Sequence, residues 1–474
     1  MNILYATTEA SPFVASGGLA DVMGALPKSI ASLGEHSVSV IMPLYKKISD
    51  TYREKMEHYI DVPFKLSWRD TGTSVYRLTD AGVTYYFLEN HYYFDRDKLY
   101  GEYDDAERFA FFSAAVVEFI LASGNAPDIL NANDWQTALI PVYLKTKYRG
   151  IEALSGIKTV FTIHNIEYQG KFDPFVLGDV FGLDNEWAGL LEYDGCVNLM
   201  KAALLSADYI TTVSPNYAYE LRHDFFAFGL AGIVGSVSHK LSGVINGIDY
   251  GYFSPSHGGD IDFPYNKRNA ASGKAKNKEA LCAELGLSTD TSLPLVAMIT
   301  RLASQKGIDL LLHIADELLS EKMQLVILGT GEPEYESALL ELEARHPNLR
   351  VLLRFDRVIS KRIYASADIF LMPSKSEPCG LAQMICCSYG TIPVVRSVGG
   401  LCDSIIPYGA PGANGFRFDN YNAHELLYAA TEALKLYRNK DKWRALRTSA
   451  MNSDFTWKKS AEKYLAIYDN LLKW

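Results

Sequence analysis

Short apolar runs that end in polar residues, each followed by a helical stretch, recur along this chain and restrict it to a parallel α/β architecture. Asn2–Ala6 runs into Thr7-Thr8-Glu9, and Ser37–Met42 is the next such run. Asp128–Asn131 ends at Asn133-Asp134-Trp135, Lys158–Ile163 at His164-Asn165, and Tyr209–Val213 at Ser214-Pro215. After residue 266 the pattern restarts. Leu295–Thr300 ends at Arg301, Gln324–Leu328 at Gly329-Thr330-Gly331, and Leu349–Leu353 at Arg354-Phe355-Asp356. Ile369–Met372 and Ile392–Arg396 follow. Apolar strands with polar C-terminal ends belong to doubly wound sheets, whose ligands sit at that edge. At 474 residues the chain has room for two or three domains. Loose, Gly/Pro/Ser/Asp-rich sequence over 247–265 predicts the connection between two similar halves.

Composition closes off several functions. The formal net charge of -10 argues against nucleic acid or an anionic membrane as the main partner. No apolar stretch reaches the length of a membrane span, and Met1 leads straight into a core strand, so a cytoplasmic protein is expected. Six cysteines make no C-x-x-C pair and no zinc spacing; buried free thiols are expected. Residues 58–103 read as hairpins and loops, and Arg108–Leu121 as an apolar helix. Ala423–Leu436 and Trp457–Leu472 read as amphipathic helices.

Four places carry the chemistry. In the first βα loop, Ser16-Gly17-Gly18 precedes a helix expected from about Asp21. Paired glycines there suit either an anion cradle or a tight turn. Asp21 either caps that helix or accepts from a sugar hydroxyl. Arg301 and Lys306 flank a strand-to-helix loop, where two cations suit a departing diphosphate or are simply solvated. Glu377 lies in the Pro373–Leu381 loop, with no second carboxylate to form a hydrolase pair. His164 is either a satisfied structural residue, a donor to a sugar hydroxyl, or a proton-transfer group. Cys379 has no neighbouring base, so packing or a backbone contact is its expected role.

These motifs, taken in order, resemble the bacterial glycogen synthases and plant starch synthases. The resemblance rests on Ser16-Gly17-Gly18-Leu19-Ala20-Asp21-Val22, Thr162-Ile163-His164-Asn165 with Tyr168-Gln169-Gly170, and Thr212-Val213-Ser214-Pro215. It continues in Asn246-Gly247-Ile248-Asp249, in Arg301 with Ser304-Gln305-Lys306-Gly307, in Pro373–Leu381 and in Gly390–Leu401. It implies a GT-B fold of two facing Rossmann-like domains with an interdomain cleft. The implied division is residues 1–246, a linker at 247–265, a nucleotide-sugar domain at 266–455, and a helix over 456–474 returning to the first domain.

The implied reaction transfers glucose, with retention, from ADP-glucose to the non-reducing 4-hydroxyl of an α-1,4-glucan, without metal or organic cofactor. Gly17 and Gly18, with Ser16, face the donor phosphates; Arg301 and Lys306 stabilise the leaving diphosphate. Asp21, His164 with Asn165, and the loop Glu377, Cys379, Gly380 and Leu381 hold the glucosyl ring. Asn246 lies near ring and diphosphate, Phe355 stacks on the base, and Asn133 and Asp134 lie on the acceptor side. Glu377 is the candidate to stabilise the oxocarbenium-like centre, with same-face attack expected rather than a covalent nucleophile.

The chain departs from the family pattern at four places. Ala15 stands where a Lys usually opens the glycine loop, and Asn133 where many relatives have His. Phe355 replaces Tyr, and Ser376 replaces a frequent Phe. UDP-glucose as donor, or a catalytically impaired glucan-binding relative, are therefore the alternatives.

Overall fold

The computed structural model describes residues 1–256 and 259–473. His257 and Gly258, within the expected 247–265 connection, and Trp474, at the end of the 456–474 helix, lie outside the described residues. The chain divides into two compact units, Met1–Val244 with Trp457–Trp474, and Ile245–Thr456.

The first unit is built on β1 (Asn2–Ala6), β2 (Ser37–Pro43), β3 (Glu57–Leu66), β4 (Arg69–Asp80), β5 (Val83–Glu89), β6 (Ile129–Asn133) and β7 (Lys158–Ile163). Three short strands, β8 (Lys171–Phe172), β9 (Glu192–Tyr193) and β10 (Cys196–Asn198), form a small separate sheet. Then come β11 (Tyr209–Thr212) and β12 (Leu241–Gly243). The main sheet runs β12-β11-β7-β6-β1-β2-β5-β4-β3. Its central strands are parallel and almost wholly buried, as apolar strands covered on both faces must be.

Residues 58–103, expected as hairpins and loops, hold the antiparallel hairpins β3–β4 and β4–β5, and these are not separate but extend the main sheet. Burial alternates along β3, which packs one face on the helix Asp105–Ser123, where Phe64 and Phe111 rings meet at 5.3 Å. The helix Trp457–Leu471 also belongs to this unit. It packs on the helix Gly18–Ala31, and Tyr468 Oη lies 2.9 Å from Tyr5 Oη and accepts from Asn131 Nδ2 at 2.8 Å.

The second unit holds β13 (Leu295–Ile299), β14 (Gln324–Leu328), β15 (Leu349–Leu352), β16 (Ile369–Met372), β17 (Ile392–Arg396) and β18 (Phe416–Phe418). Its sheet is parallel, in the order β15-β14-β13-β16-β17-β18. The described residues of 247–265 fall in this unit. Tyr265 is buried and its hydroxyl donates to Tyr389 O at 2.7 Å. A buried cation ties the unit together: Lys278 Nζ contacts Asp368 Oδ2 at 2.8 Å, two backbone carbonyls, and Tyr437 Oη at 3.0 Å.

Both sheets have a point where strand order reverses. In the first unit β1 leads one way to β2, while β6 lies on its other side. In the second, β13 leads to β14 and β15, while β16 lies on the other side. Loops leaving two such strands diverge to opposite faces and leave a crevice at their C-terminal ends. The loops after β1, β6, β13 and β16 carry most of the candidate residues.

Candidate functional site

In the second unit the loops after β13 and β16 bring two charges together. Lys306 Nζ lies 2.7 Å from Glu377 Oε2, and Ser374 Oγ donates to the same oxygen at 3.0 Å. Glu377 is 8% exposed, so pairing offsets a real desolvation cost. Gly307 makes this approach possible. It sits at φ +73, and a Cβ there would run into the carbonyl of Pro373, at the start of the Glu377 loop. Lys375 N donates to Gln305 O at 2.8 Å, tying the two loops. Gly399, at φ +41, plays the same part on the far side, where a Cβ would meet Glu377 O. Gly400 N donates to that carbonyl at 3.1 Å.

Arg301 is exposed at the end of β13 and has no side-chain partner among the described residues. A cavity of about 160 Å3 opens here, lined by Thr300, Lys306, Ser374, Glu377, Gly380 and Leu381 together with strand-end apolar groups. A larger groove of about 730 Å3, along β18 and the helix Ala423–Arg438, shares no lining residue with it. The smaller cavity is the chemical one, because it sits at the strand-order reversal and contains the ion pair.

Asn246 is buried and hydrogen-bonds to Cys379 through both its backbone and its side chain, while its Oδ1 has no partner. Burial pushes the Cys379 thiol up to about 12, so it is no nucleophile. Phe355 is 84% exposed after β15, with the Arg357 guanidinium 5.9 Å from its ring. Its face is open for stacking.

In the first unit the amides of the glycine loop already face an anion. The Glu9 carboxylate accepts from Ser16 N, from Ser16 Oγ at 2.7 Å and from Gly17 N at 3.3 Å, and Tyr100 Oη donates to it at 2.6 Å. The anion on these amides is supplied by the chain itself. The helix begins at Gly18 with Gly17 as its cap, so Asp21 lies inside the first turn and is not the cap. Ser11 Oγ contacts Asp21 Oδ1 at 3.5 Å.

The β6 and β7 ends meet closely. His164 Nε2 lies 2.9 Å from Asn133 Oδ1, and His164 N donates to Asp134 Oδ1 at 2.8 Å. Asp134 has φ 58 and ψ 177, a strained region for a residue with a side chain. Burial pushes its carboxyl up to about 7, against the His164 and Asn165 backbone N–H groups that pull it down. Burial drives the His164 ring down to about 3, so it is neutral. Asn165 Oδ1 accepts from Glu167 N at 3.0 Å, a local turn. Among the described residues no group of three or more His, Cys, Asp or Glu is arranged to hold a metal ion.

Two family models match the chain in part: "Starch synthase catalytic domain" over residues 2–236, and "Glycosyl transferases group 1" over 286–447. A glycogen synthase of Clostridium beijerinckii is 45% identical over 477 residues, covering 99% of both chains. One of Bacillus subtilis is 41% identical over 479 residues, covering 100% of this chain and 99% of its own. This chain belongs to the glycogen/starch synthase family. Among solved structures, the catalytic domain of starch synthase IV from Arabidopsis thaliana, bound to ADP and acarbose, aligns over 100% of this chain and 99% of its own. Its TM-score is 0.90 at 33% identity. A sucrose-phosphate synthase from Thermosynechococcus elongatus aligns with a TM-score of 0.61 at 18% identity and shares the fold.

The chain is thus a glycosyltransferase of GT-B fold. Of the residues singled out in the sequence, the structure joins Lys306 with Glu377, Gly380 and Leu381; Asn246 with Cys379; His164 with Asn133 and Asp134; and Ser16 with Gly17. Three supporting residues went unread. Glu9 had no signal beyond being an acid between buried positions. Ser374 lay inside a quoted motif without a role. Arg396 ends β17 in the polar-terminus pattern, and its guanidinium donates to Lys375 O at 2.8 Å, bracing the Glu377 loop. Cys196 and Cys402, expected to be buried, are only half-buried.

Proposed function

We propose that this glycogen/starch synthase uses ADP-glucose as donor and extends the non-reducing 4-hydroxyl of an α-1,4-glucan, with retention. The observation that carries this reading is the Lys306–Glu377 pair, with Arg301 exposed at the start of the same loop as Lys306 and without a side-chain partner among the described residues. Two cations against one carboxylate leave a net positive site, suited to the growing charge of a leaving diphosphate. The carboxylate suits the opposite charge on an oxocarbenium-like anomeric carbon. Held by an ammonium and a hydroxyl, Glu377 is a poor nucleophile and a good counter-charge. That favours same-face attack, with the leaving phosphate taking the acceptor proton. Arg301 and Lys306 supply the charge, Asn246 Oδ1 offers an unsatisfied acceptor for a sugar or ribose hydroxyl, and Phe355 offers a stacking face for the base.

His164, Asn165, Asp21, Ser16, Gly17 and Gly18 are proposed to serve the donor from the first unit, and Asn133 and Asp134 the acceptor side. Glu9 already takes the Ser16 and Gly17 amides, which leaves Gly18 and the helix start as the free donors toward phosphate. UDP-glucose is the second reading, favoured by Ala15 and by Phe355 and Ser376 at the positions expected to shape the base pocket. Action in the cytoplasm is expected, where six free thiols stay reduced. The test is glucan-dependent nucleotide diphosphate release by wild type, Glu377→Gln and Lys306→Ala. Each variant should lose about 10²–10³ in kcat; undiminished turnover in Glu377→Gln would remove the carboxylate from the mechanism.

A further inference from the structure

Asn133 closes β6, His164 follows β7, and their side chains meet at 2.9 Å, Oδ1 to Nε2. Asn133 is fully buried, and its Nδ2 donates to Ala6 O at 3.1 Å and to Asn131 O at 3.2 Å. Those two carbonyls can only accept, so the amide cannot be turned round without setting oxygen against oxygen. The atom facing His164 is therefore the amide oxygen. An amide oxygen cannot donate, so the proton between them sits on His164 Nε2. Among the described residues the ring has no carboxylate partner on either nitrogen. Nδ1 keeps its lone pair and has no protein partner among the described residues.

We propose that Asn133 is a positioning residue that holds His164 in the neutral Nε2–H tautomer, so that Nδ1 accepts a hydrogen bond from a hydroxyl of the glucosyl substrate. The tautomer follows from the geometry alone; the identity of the hydroxyl rests on the proposed function. The assignment reverses one expectation from sequence. With its proton committed to Asn133, His164 does not donate to a sugar hydroxyl. A His at position 133 could donate or accept; Asn with its nitrogen already engaged can only accept. Other ionisable groups around the loop are Asp134 on the same turn, Glu9 from the loop after β1, and Tyr217 of the helix Pro215–Glu220, with Glu167 and Glu220 in its electrostatic reach.

Two measurements test the proposal. Ring-15N histidine NMR of the full chain, with His164→Gln to assign the signal, should show a protonated Nε2 and an unprotonated Nδ1, unchanged between pH 6 and 8. A protonated Nδ1, or an imidazolium, overturns the lock. This readout does not depend on turnover, so it stands even if glucosyl transfer fails. Asn133→Asp sets a carboxylate against Nε2 and favours the imidazolium, whose Nδ1–H can no longer accept. Measured with Asp134→Asn in both proteins, so that position 134 does not titrate, its kcat/KM relative to the Asn133 form should fall about tenfold per pH unit below the raised His164 pKa and recover above it. A flat ratio alongside the expected tautomer overturns the substrate-facing half. If Asn133→Asp does not fold, Asn133→Gln takes its place. Its longer amide misplaces the acceptor, and it should populate the Nδ1–H tautomer in the same spectra; an unchanged tautomer again overturns the lock.

Discussion

Asp134→Asn is the sharpest test of the electrostatics at the β6 end. Burial lifts the Asp134 carboxyl from 3.8 to about 7 in the folded state. A carboxyl raised on folding binds its proton more tightly in the native state. Its stabilising contribution is therefore present below about pH 4 and is lost as pH rises through about 7. Roughly three units at about 1.36 kcal/mol each amount to about 4 kcal/mol over the full range. About 3 kcal/mol of this falls between pH 5 and pH 8. Asparagine does not titrate, and its Oδ1 can still accept from the His164 or Asn165 backbone N–H. The stability of Asp134→Asn minus that of wild type should thus grow by about 3 kcal/mol from pH 5 to pH 8. Urea denaturation of the full chain, followed by amide exchange in peptides from β6 and β7, reads this difference in the unit concerned. A difference independent of pH, or one that shrinks as pH rises, would refute the argument.

Three further outcomes are expected. Gly307→Ala forces a side chain into a left-handed position against the Pro373 carbonyl; it should cost at least about 2 kcal/mol and lower kcat/KM by displacing Lys306 from Glu377, read by urea melts and steady-state kinetics. Lys278→Ala leaves Asp368 buried without its partner and should destabilise the second unit by about 3–5 kcal/mol in denaturation measured by amide exchange. Phe355→Ala, on an exposed ring, should leave the melting temperature unchanged. It should raise the donor KM about three- to tenfold with little change in kcat, the signature of lost stacking.

The parallel core was legible because strands covered on both faces must be apolar along their length and turn polar where they emerge. That pattern located β1, β2, β6, β7, β11, β13, β14, β15, β16 and β17 and the loops beyond them. It did not reveal β18, because Phe416-Arg417-Phe418 is only three residues long and follows Asn414-Gly415. Nor did it reveal the β3–β4–β5 extension, whose aromatic alternation resembles that of a free-standing hairpin. Side-chain partnerships were hidden for a different reason. Lys306 and Glu377 are 71 residues apart in sequence, and no periodicity records that Gly307 lets their loops touch. Glu9 was hidden similarly. The Ser16-Gly17 amides suit any anion, and nothing local says that the chain supplies its own.

The central claim is transfer of glucose from ADP-glucose to a glucan at the Lys306–Glu377 site. Parallel assays of ADP-glucose and UDP-glucose on one maltooligosaccharide primer test it most directly. The account predicts primer-dependent ADP release with elongation of the primer by α-1,4-linked glucose, faster than any UDP release. Faster turnover of UDP-glucose would overturn the donor assignment, and primer binding without release of either nucleotide would contradict the account as a whole.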